Sequence, residues 1–271
     1  MSEVVVVTGI GGMGVVAARR LGNGRKLVIA DFDGAKLASE ADALAADGFD
    51  VTPVEVDVSD RASVAKLAAT AGELGTLRAL VHTAGLSPTM ATGERVLQVD
   101  LLGTEYILEA FTPLVAPGTV AVCIASMAGY MSPLTSEQCA ALITAEADDL
   151  LDLVGPTEGL DFGMTYCIAK RVNHLRVERY AGIWGPLGGR VASISPGIIS
   201  TPMGQQELSE GSTEQMQAQL DISAVPRIGT AEDIGAAVQW LCGPEASFVT
   251  GIDLRVDGGV TAAIHSMGFG L

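Results

Sequence analysis

The chain has 271 residues, 48% hydrophobic and 18% charged, which supplies a sizeable buried core and excludes a disordered chain. Its formal net charge of −16 offers no basic face for nucleic acid or an anionic membrane, so any phosphate must be held locally by backbone dipoles. The start MSEVVVVTG has no basic segment ahead of a longer apolar run, no stretch reaches membrane-spanning length, and Cys123, Cys139, Cys167 and Cys242 lack metal-binding spacing. A cytoplasmic protein with free thiols and no metal is expected.

Val4 to Thr8 is an unbroken β-branched run, the pattern of a strand buried on both faces of a parallel sheet. A glycine-rich turn follows, and Val15 to Leu21 begins a helix. Lys26 to Ala30 predicts a second strand ending in Asp31; Ala35 to Ala46 has helical Ala/Leu spacing, stopped by Asp47-Gly48. Val51 to Val56 is the third strand, Ser63 to Leu74 a helix, and Leu77 to Thr83 the fourth strand, with Ala84-Gly85 at its exit. A long helix is expected over Gly93 to Phe111. Strand five, Thr119 to Ala125, delivers Ser126, and strand six, Arg190 to Ile194, runs into Pro196-Gly197. Ala231 to Leu241 is helical and Ile252 to Val256 is strand seven. Strands and helices alternate throughout, which predicts an α/β fold: a doubly wound, seven-stranded parallel sheet in one Rossmann-type domain over residues 1–271.

Two stretches interrupt the alternation. Met131 to Gly163 separates strand five from the next helix, and its middle, Ser136 to Leu153, reads as helical and acidic, with Glu146, Asp148, Asp149 and Asp152. Ser200 to Ser223 is polar and Gln-rich; its place beyond the carboxyl end of strand six suits a mobile substrate lid.

Gly9-x-Gly11-x-x-Gly14 lies between the first strand and the first helix, the setting a dinucleotide site requires. One glycine permits the turn, one admits the pyrophosphate to the backbone, and one permits close helix–strand packing. The helix N-terminus adds a positive field. Asp31, 17 residues past Gly14, can accept both hydroxyls of the adenosine ribose and would repel a 2′-phosphate. The run Asp31-Phe32-Asp33-Gly34 holds no arginine, so NAD is expected over NADP.

Tyr166 and Lys170 stand four residues apart on a helical pattern and share a face. A phenol titrates near ~10 and is a poor acid or base at neutral pH; a fixed positive charge beside it favours phenolate.

Together these residues make the chain resemble the short-chain dehydrogenase/reductase family, from Val4 to about Gly259. The family's glycine signature corresponds to Thr8-Gly9…Gly12-Met13-Gly14, one residue shorter in the loop. Its adenine-contacting acid falls at Asp57-Val58, its Asn-Asn-Ala-Gly at His82-Thr83-Ala84-Gly85, and its serine at Ser126. Its Tyr-x-x-x-Lys is Tyr166 and Lys170, its Pro-Gly-x-x-x-Thr runs from Pro196-Gly197 to Thr201, and its Val-Asp-Gly-Gly is Val256 to Gly259. The helix-borne asparagine of the catalytic tetrad falls at Asp100, and His82 reads as a packed histidine. Ser126 and Tyr166 are 40 residues apart because of the 131–163 stretch, an insertion similar to that of bacterial 3α-hydroxysteroid dehydrogenase/carbonyl reductase.

The resemblance implies an NAD-dependent oxidoreductase that interconverts a secondary alcohol and a ketone. Ser126 would bind the substrate oxygen, Tyr166 would carry the proton and Lys170 would hold the nicotinamide ribose, with the nicotinamide held by Ile199 and Thr201. Leu86, Met127, Ala128 and Met203 suit a hydrophobic substrate, steroid- or terpenoid-like. Relatives associate through the Tyr-x-x-x-Lys helix, so a homodimer or homotetramer is expected. Two other readings are a non-catalytic NAD-binding regulatory protein, which the departures at Asp100 and His82 would suit, and an NADP-dependent carbonyl reductase.

Overall fold

The computed structural model describes residues 2–87, 91–156, 159–160, 162–201 and 213–268. Seven strands form one parallel sheet: β1 (Glu3–Thr8), β2 (Lys26–Asp31), β3 (Asp50–Glu55), β4 (Thr76–His82), β5 (Val120–Ile124), β6 (Arg190–Pro196) and β9 (Ile252–Val256). Their spatial order is β3-β2-β1-β4-β5-β6-β9. The order reverses between β1 and β4, and their carboxyl ends open the crevice in which such sheets bind ligands.

The β-branched strands read from the sequence bury both faces. Val5 and Val7 point to one layer, with Ala17 and Ala18 of α1 (Gly12–Leu21), Leu37 and Leu44 of α2 (Gly34–Ala46), and Ile234 and Val238 of the later helix Ala231–Cys242. Val4 and Val6 point to the other, with α3 (Arg61–Leu74), α5 (Gly103–Phe111) and α8 (Phe162–Trp184). The period of two along the strand is thus used to fill two cores.

The helix expected over Gly93 to Phe111 is a composite. α4 (Gly93–Val96) runs into a π-helical segment, Leu97–Leu102, before α5 resumes. Asp100 lies in that wide turn, fully buried, and its main-chain carbonyl accepts a hydrogen bond from the Thr104 hydroxyl at 2.8 Å. π turns of this kind often mark functional positions.

The stretch Ser136 to Leu153, expected to be helical, consists of α6 (Ser136–Thr144) and α7 (Leu150–Val154) with a break between them. α6 starts on a capping box between Thr135 and Gln138. It ends because arginines of α8 take its last carbonyls: Arg176 Nη1 donates to the Leu142 and Ala145 carbonyls at 2.8 and 2.9 Å, and Arg179 Nη1 donates to that of Thr144 at 2.5 Å. Leu142, Leu150 and Val154 then cover Ile168, Val172 and Leu175 of α8.

A two-stranded parallel ladder, β7 (Ile199–Ser200) with β8 (Gly229–Thr230), was not legible in the sequence. Of the stretch expected as a lid, Thr213–Ile222 is helix α9, and residues 202–212, with Met203, lie outside the described residues. α10 (Ala231–Cys242) and α11 (Val260–Ser266) complete the chain. Among the described residues no helix is long and apolar enough to cross a membrane, and no group of three His, Cys, Asp or Glu is arranged to hold a metal.

Candidate active site

The cradle at the end of β1 is shaped by close backbone approach. Gly9 has φ +82°, and a side chain there would strike the backbone of Ala84 in the loop after β4. A Cβ on Gly14 would strike the Gly9 carbonyl and lie 2.9 Å from Thr83 Oγ1. Gly11 differs: a Cβ there meets only Lys36 Nζ, at 4.0 Å, so its outer side is open. α1 starts at Gly12 with no side-chain cap and no acid in its first turn, which leaves its N–H groups to an anionic ligand; Met13 packs against the core beneath. Open glycine backbone beside an uncapped helix N-terminus fits a dinucleotide pyrophosphate.

Asp31 anchors this cradle. Its Oδ2 accepts the Ile10 N–H at 2.7 Å and lies 3.1 Å from Lys36 Nζ, while Oδ1 accepts the Asp33 N–H at 3.0 Å. Phe32 stands 68% exposed beside it. Lys36 is a cation that the reading of Asp31 to Gly34 did not reach. The signal was Asp33: as N-cap it accepts the Ala35 and Lys36 N–H groups and winds the first turn of α2 around Asp31.

Asp57 accepts the N–H and the hydroxyl of Ser59 at 2.9 and 2.6 Å and pairs with Arg95 Nη2 at 3.1 Å. Burial opposes its ionisation, but Ser59 and Arg95 outweigh it and hold the carboxyl below its ordinary range. The neighbouring Val58 is buried, pressed against Gly103. Arg95 carried no signal in the sequence, because it reaches Asp57 from a different element.

The helix α8 brings Tyr166, Lys170 and His174 onto one face, four residues apart. Lys170 is buried, with Nζ 3.1 Å from Asp100 Oδ2, 3.4 Å from the Ile124 carbonyl and 5.4 Å from the Tyr166 ring centroid. Asp100 Oδ1 also accepts the Leu86 N–H at 2.7 Å, which ties down the loop through Ala84 and Gly85. A Cβ on Gly85 would lie 3.3 Å from both the carboxylate and the ammonium.

Ser126 sits at the exit of β5, its Oγ accepting the Ala128 N–H at 3.2 Å at the head of a short 3₁₀ turn, Met127–Met131. That turn is pinned to α8 and β9: a Cβ on Gly129 would lie 2.7 Å from the His174 ring of α8, and Tyr130 donates to Asp253 Oδ2 of β9 at 2.8 Å. His174 Nε2 is 2.9 Å from Ser195 Oγ and 3.5 Å from Asp253 Oδ1. Gly197, after Pro196, passes so close to β9 that a Cβ would lie 2.8 Å from the Asp257 Cα. Ile199 pairs with Gly229, and Thr201 is buried behind it.

His82 is packed, as expected, with Nδ1 2.7 Å from Thr8 Oγ1. Burial, and then the Lys170 charge, lower its pKa to about 3, and burial with neighbouring arginine and lysine lowers that of His174 to about 4. Both take up a proton more readily in the unfolded chain. The stability they contribute is therefore full above their ordinary value of 6.5 and is lost as pH falls towards 4 for His174 and 3 for His82. Denaturant unfolding at a series of pH values should show this slope, and His82→Asn should flatten it; an unchanged slope would refute the assignment for His82.

Residues 3–140 match the family described as short chain dehydrogenase, and residues 150–261 match the one described as enoyl-(acyl carrier protein) reductase. The chain is 36% identical over 263 residues to short-chain dehydrogenase/reductase bsc3 of Alternaria brassicicola, covering 95% of each. It is 27% identical to the 7α-hydroxysteroid dehydrogenase of Bacteroides fragilis, over 98% of this chain and 96% of the other. Among solved structures it is similar to a short-chain type dehydrogenase/reductase from Mycobacterium ulcerans, with TM-score 0.76 and 23% identity over 96% of this chain and 90% of that one.

Proposed function

The chain belongs to the short-chain dehydrogenase/reductase family, oxidoreductases of small-molecule alcohols and ketones, and we propose that it uses NAD to interconvert a hydrophobic secondary alcohol and its ketone. One observation carries the reading: a buried ammonium 5.4 Å from the Tyr166 ring, beside an open glycine cradle. NAD would be held by Gly9 and Gly11 to Gly14 at its pyrophosphate, by Asp31, Phe32, Asp57 and Val58 at its adenosine, and by Ala84, Gly85, Pro196, Gly197, Ile199 and Thr201 further along. When bound, it supplies the acceptor for hydride.

The chain's own residues handle the oxygen and the proton. Ser126 donates a hydrogen bond to the substrate oxygen. Tyr166, as phenolate, takes the hydroxyl proton during oxidation and returns it during reduction. Lys170 keeps the phenolate accessible by its charge. Asp100 belongs to the same constellation through its ion pair with Lys170. Leu86, Met127 and Ala128 lie at the loops that would wall a hydrophobic substrate, and the similarity to a hydroxysteroid dehydrogenase makes steroids the first class to try. Residues 200–223 would close over it as a lid.

The reading is tested by thermal shift with NAD and NADP, followed by NADH release across a panel of hydrophobic secondary alcohols. Turnover with NAD supports it; NAD binding without turnover would favour a regulatory role. The cofactor choice rests on Asp31. Asp31→Ser removes the charge facing a 2′-phosphate and leaves Lys36 beside it, so the affinity for NADP relative to NAD should rise about tenfold or more. Calorimetric titration with both nucleotides checks this, and an unchanged ratio would remove Asp31 from the role.

A further inference from the structure

We propose that Asp100 is a positioning residue which, by pairing directly with Lys170, withholds part of the lysine's charge from Tyr166 and sets oxidation of the alcohol to an alkaline working range. The inference rests on the proposed roles of Tyr166 and Lys170. Its basis is the contact itself. Asp100 is fully buried, its Oδ2 is 3.1 Å from Lys170 Nζ, and its other oxygen is fixed on the Leu86 N–H at 2.7 Å. The carboxylate therefore cannot swing away from the ammonium without giving up a backbone hydrogen bond inside the protein. The π turn at Leu97–Leu102 and the Thr104 hydroxyl on the Asp100 carbonyl hold its main chain in turn.

Of the other titratable groups around Lys170, the two histidines and Cys123 are uncharged at working pH, while Arg171 and Asp253 lie beyond them against His174. His82 on β4 stays neutral above about 3, and burial pushes the Cys123 thiol on β5 up to about 12. On α8, His174 is lowered to about 4, and Arg171 is a further cation near it. Tyr166 and Asp100 are what remains to respond to the ammonium. Burial works against the Lys170 charge, but Asp100 first and Tyr166 second hold its pKa above the ordinary value. Burial raises the Asp100 pKa, and the Lys170 charge and then the Leu86 N–H act against that rise; the contact at 3.1 Å keeps the lysine protonated with its charge compensated in place. A neutralised cation exerts less field on a phenol than a bare one, so the phenolate forms at higher pH. The family pattern's asparagine at this position would leave the charge uncompensated.

Asp100→Asn tests this cleanly. The amide oxygen can still accept the Leu86 N–H, so the loop stays anchored while the charge and the acceptor facing Lys170 are removed. In the NAD complex, the pH midpoint of alcohol oxidation should move to lower pH by about one unit. The tyrosinate ultraviolet absorbance assigned to Tyr166, as the difference from Tyr166→Phe, should move with it. NADH binding, followed by fluorescence, should change little. A midpoint that stays in place or moves to higher pH would overturn the inference. If the variant folds poorly, the wild-type titration decides: Tyr166 ionising below neutrality in the NAD complex would equally overturn it. Tyr166→Phe in the same assay separates the two levels. Full turnover there sinks the dehydrogenase mechanism, whereas an inactive Tyr166→Phe with an unmoved Asp100→Asn sinks only the role of Asp100.

Discussion

Tyr166→Phe is expected to slow alcohol oxidation by about 10²–10⁴-fold, the usual value of positioned acid–base help. Phenylalanine fills the same space on α8, so the helix and its packing are unchanged. The cradle of Gly9, Gly11 and Gly14 lies on other elements and does not depend on the phenol. NADH affinity should stay within a few-fold, and the loss should fall on kcat. The lysine remains, still held by Asp100 and the Ile124 carbonyl. It is not a substitute base, because its raised pKa keeps it protonated. Steady-state kinetics on a proven substrate, with NADH fluorescence as the binding control, decides the matter. Turnover near the wild-type rate would mean that the proton leaves by another route.

Arg176→Met is expected to destabilise the fold by about 3–5 kcal/mol, the cost of stranding one partner of a buried ion pair. Arg176 is wholly buried and meets Glu105 twice, Nε to Oε2 at 2.6 Å and Nη2 to Oε1 at 2.9 Å. Tyr180 also donates to Oε1, at 2.8 Å, and burial with the Glu105 charge drives its phenol well above the ordinary range. Without the guanidinium, Glu105 keeps only a phenol, and the Leu142 and Ala145 carbonyls lose their buried donor. Replacing both partners, Arg176→Met with Glu105→Leu, should recover much of the loss, since a packed apolar pair avoids the desolvation of two charges. Urea unfolding of the two single variants and the double variant reads this directly. A double variant as unstable as the sum of the singles would show no coupling between the two residues and would refute the stranded-charge account.

The sheet was legible because its signal is local. Val4 to Val7 is the β-branched run of a strand buried on both faces, and Gly9 and Gly14 sit where the backbone approaches closely. The Tyr166–Lys170 pair was legible for the same reason, since one helical turn relates them. What escaped was what arises between elements. Lys36 meets Asp31 through a cap, Arg95 meets Asp57 across 38 residues, and the 3.1 Å contact that makes Asp100 a counter-ion joins the π segment to α8. The break between α6 and α7 escaped too: nothing in Ala145-Glu146 forbids a helix, and it is arginines from α8 that end it. A pattern along the chain carries no record of which distant donor will claim a carbonyl.

The π turn at Leu97–Leu102 acts as a change of phase in one continuous rod. Val96 before it faces the cluster shared with α6, α7 and α8, and Ile107, Leu108 and Phe111 beyond it face the cluster against the sheet; within the segment Leu97 and Leu101 join the first and Val99 the second. A regular α-helix turns about 100° per residue, so one extra residue in a turn rotates everything downstream by that angle relative to everything upstream. The rod can thus be tuned to two differently oriented hydrophobic layers without a loop between them. The residue at the slip, Asp100, belongs to neither stripe, and the chain has put a buried carboxylate there.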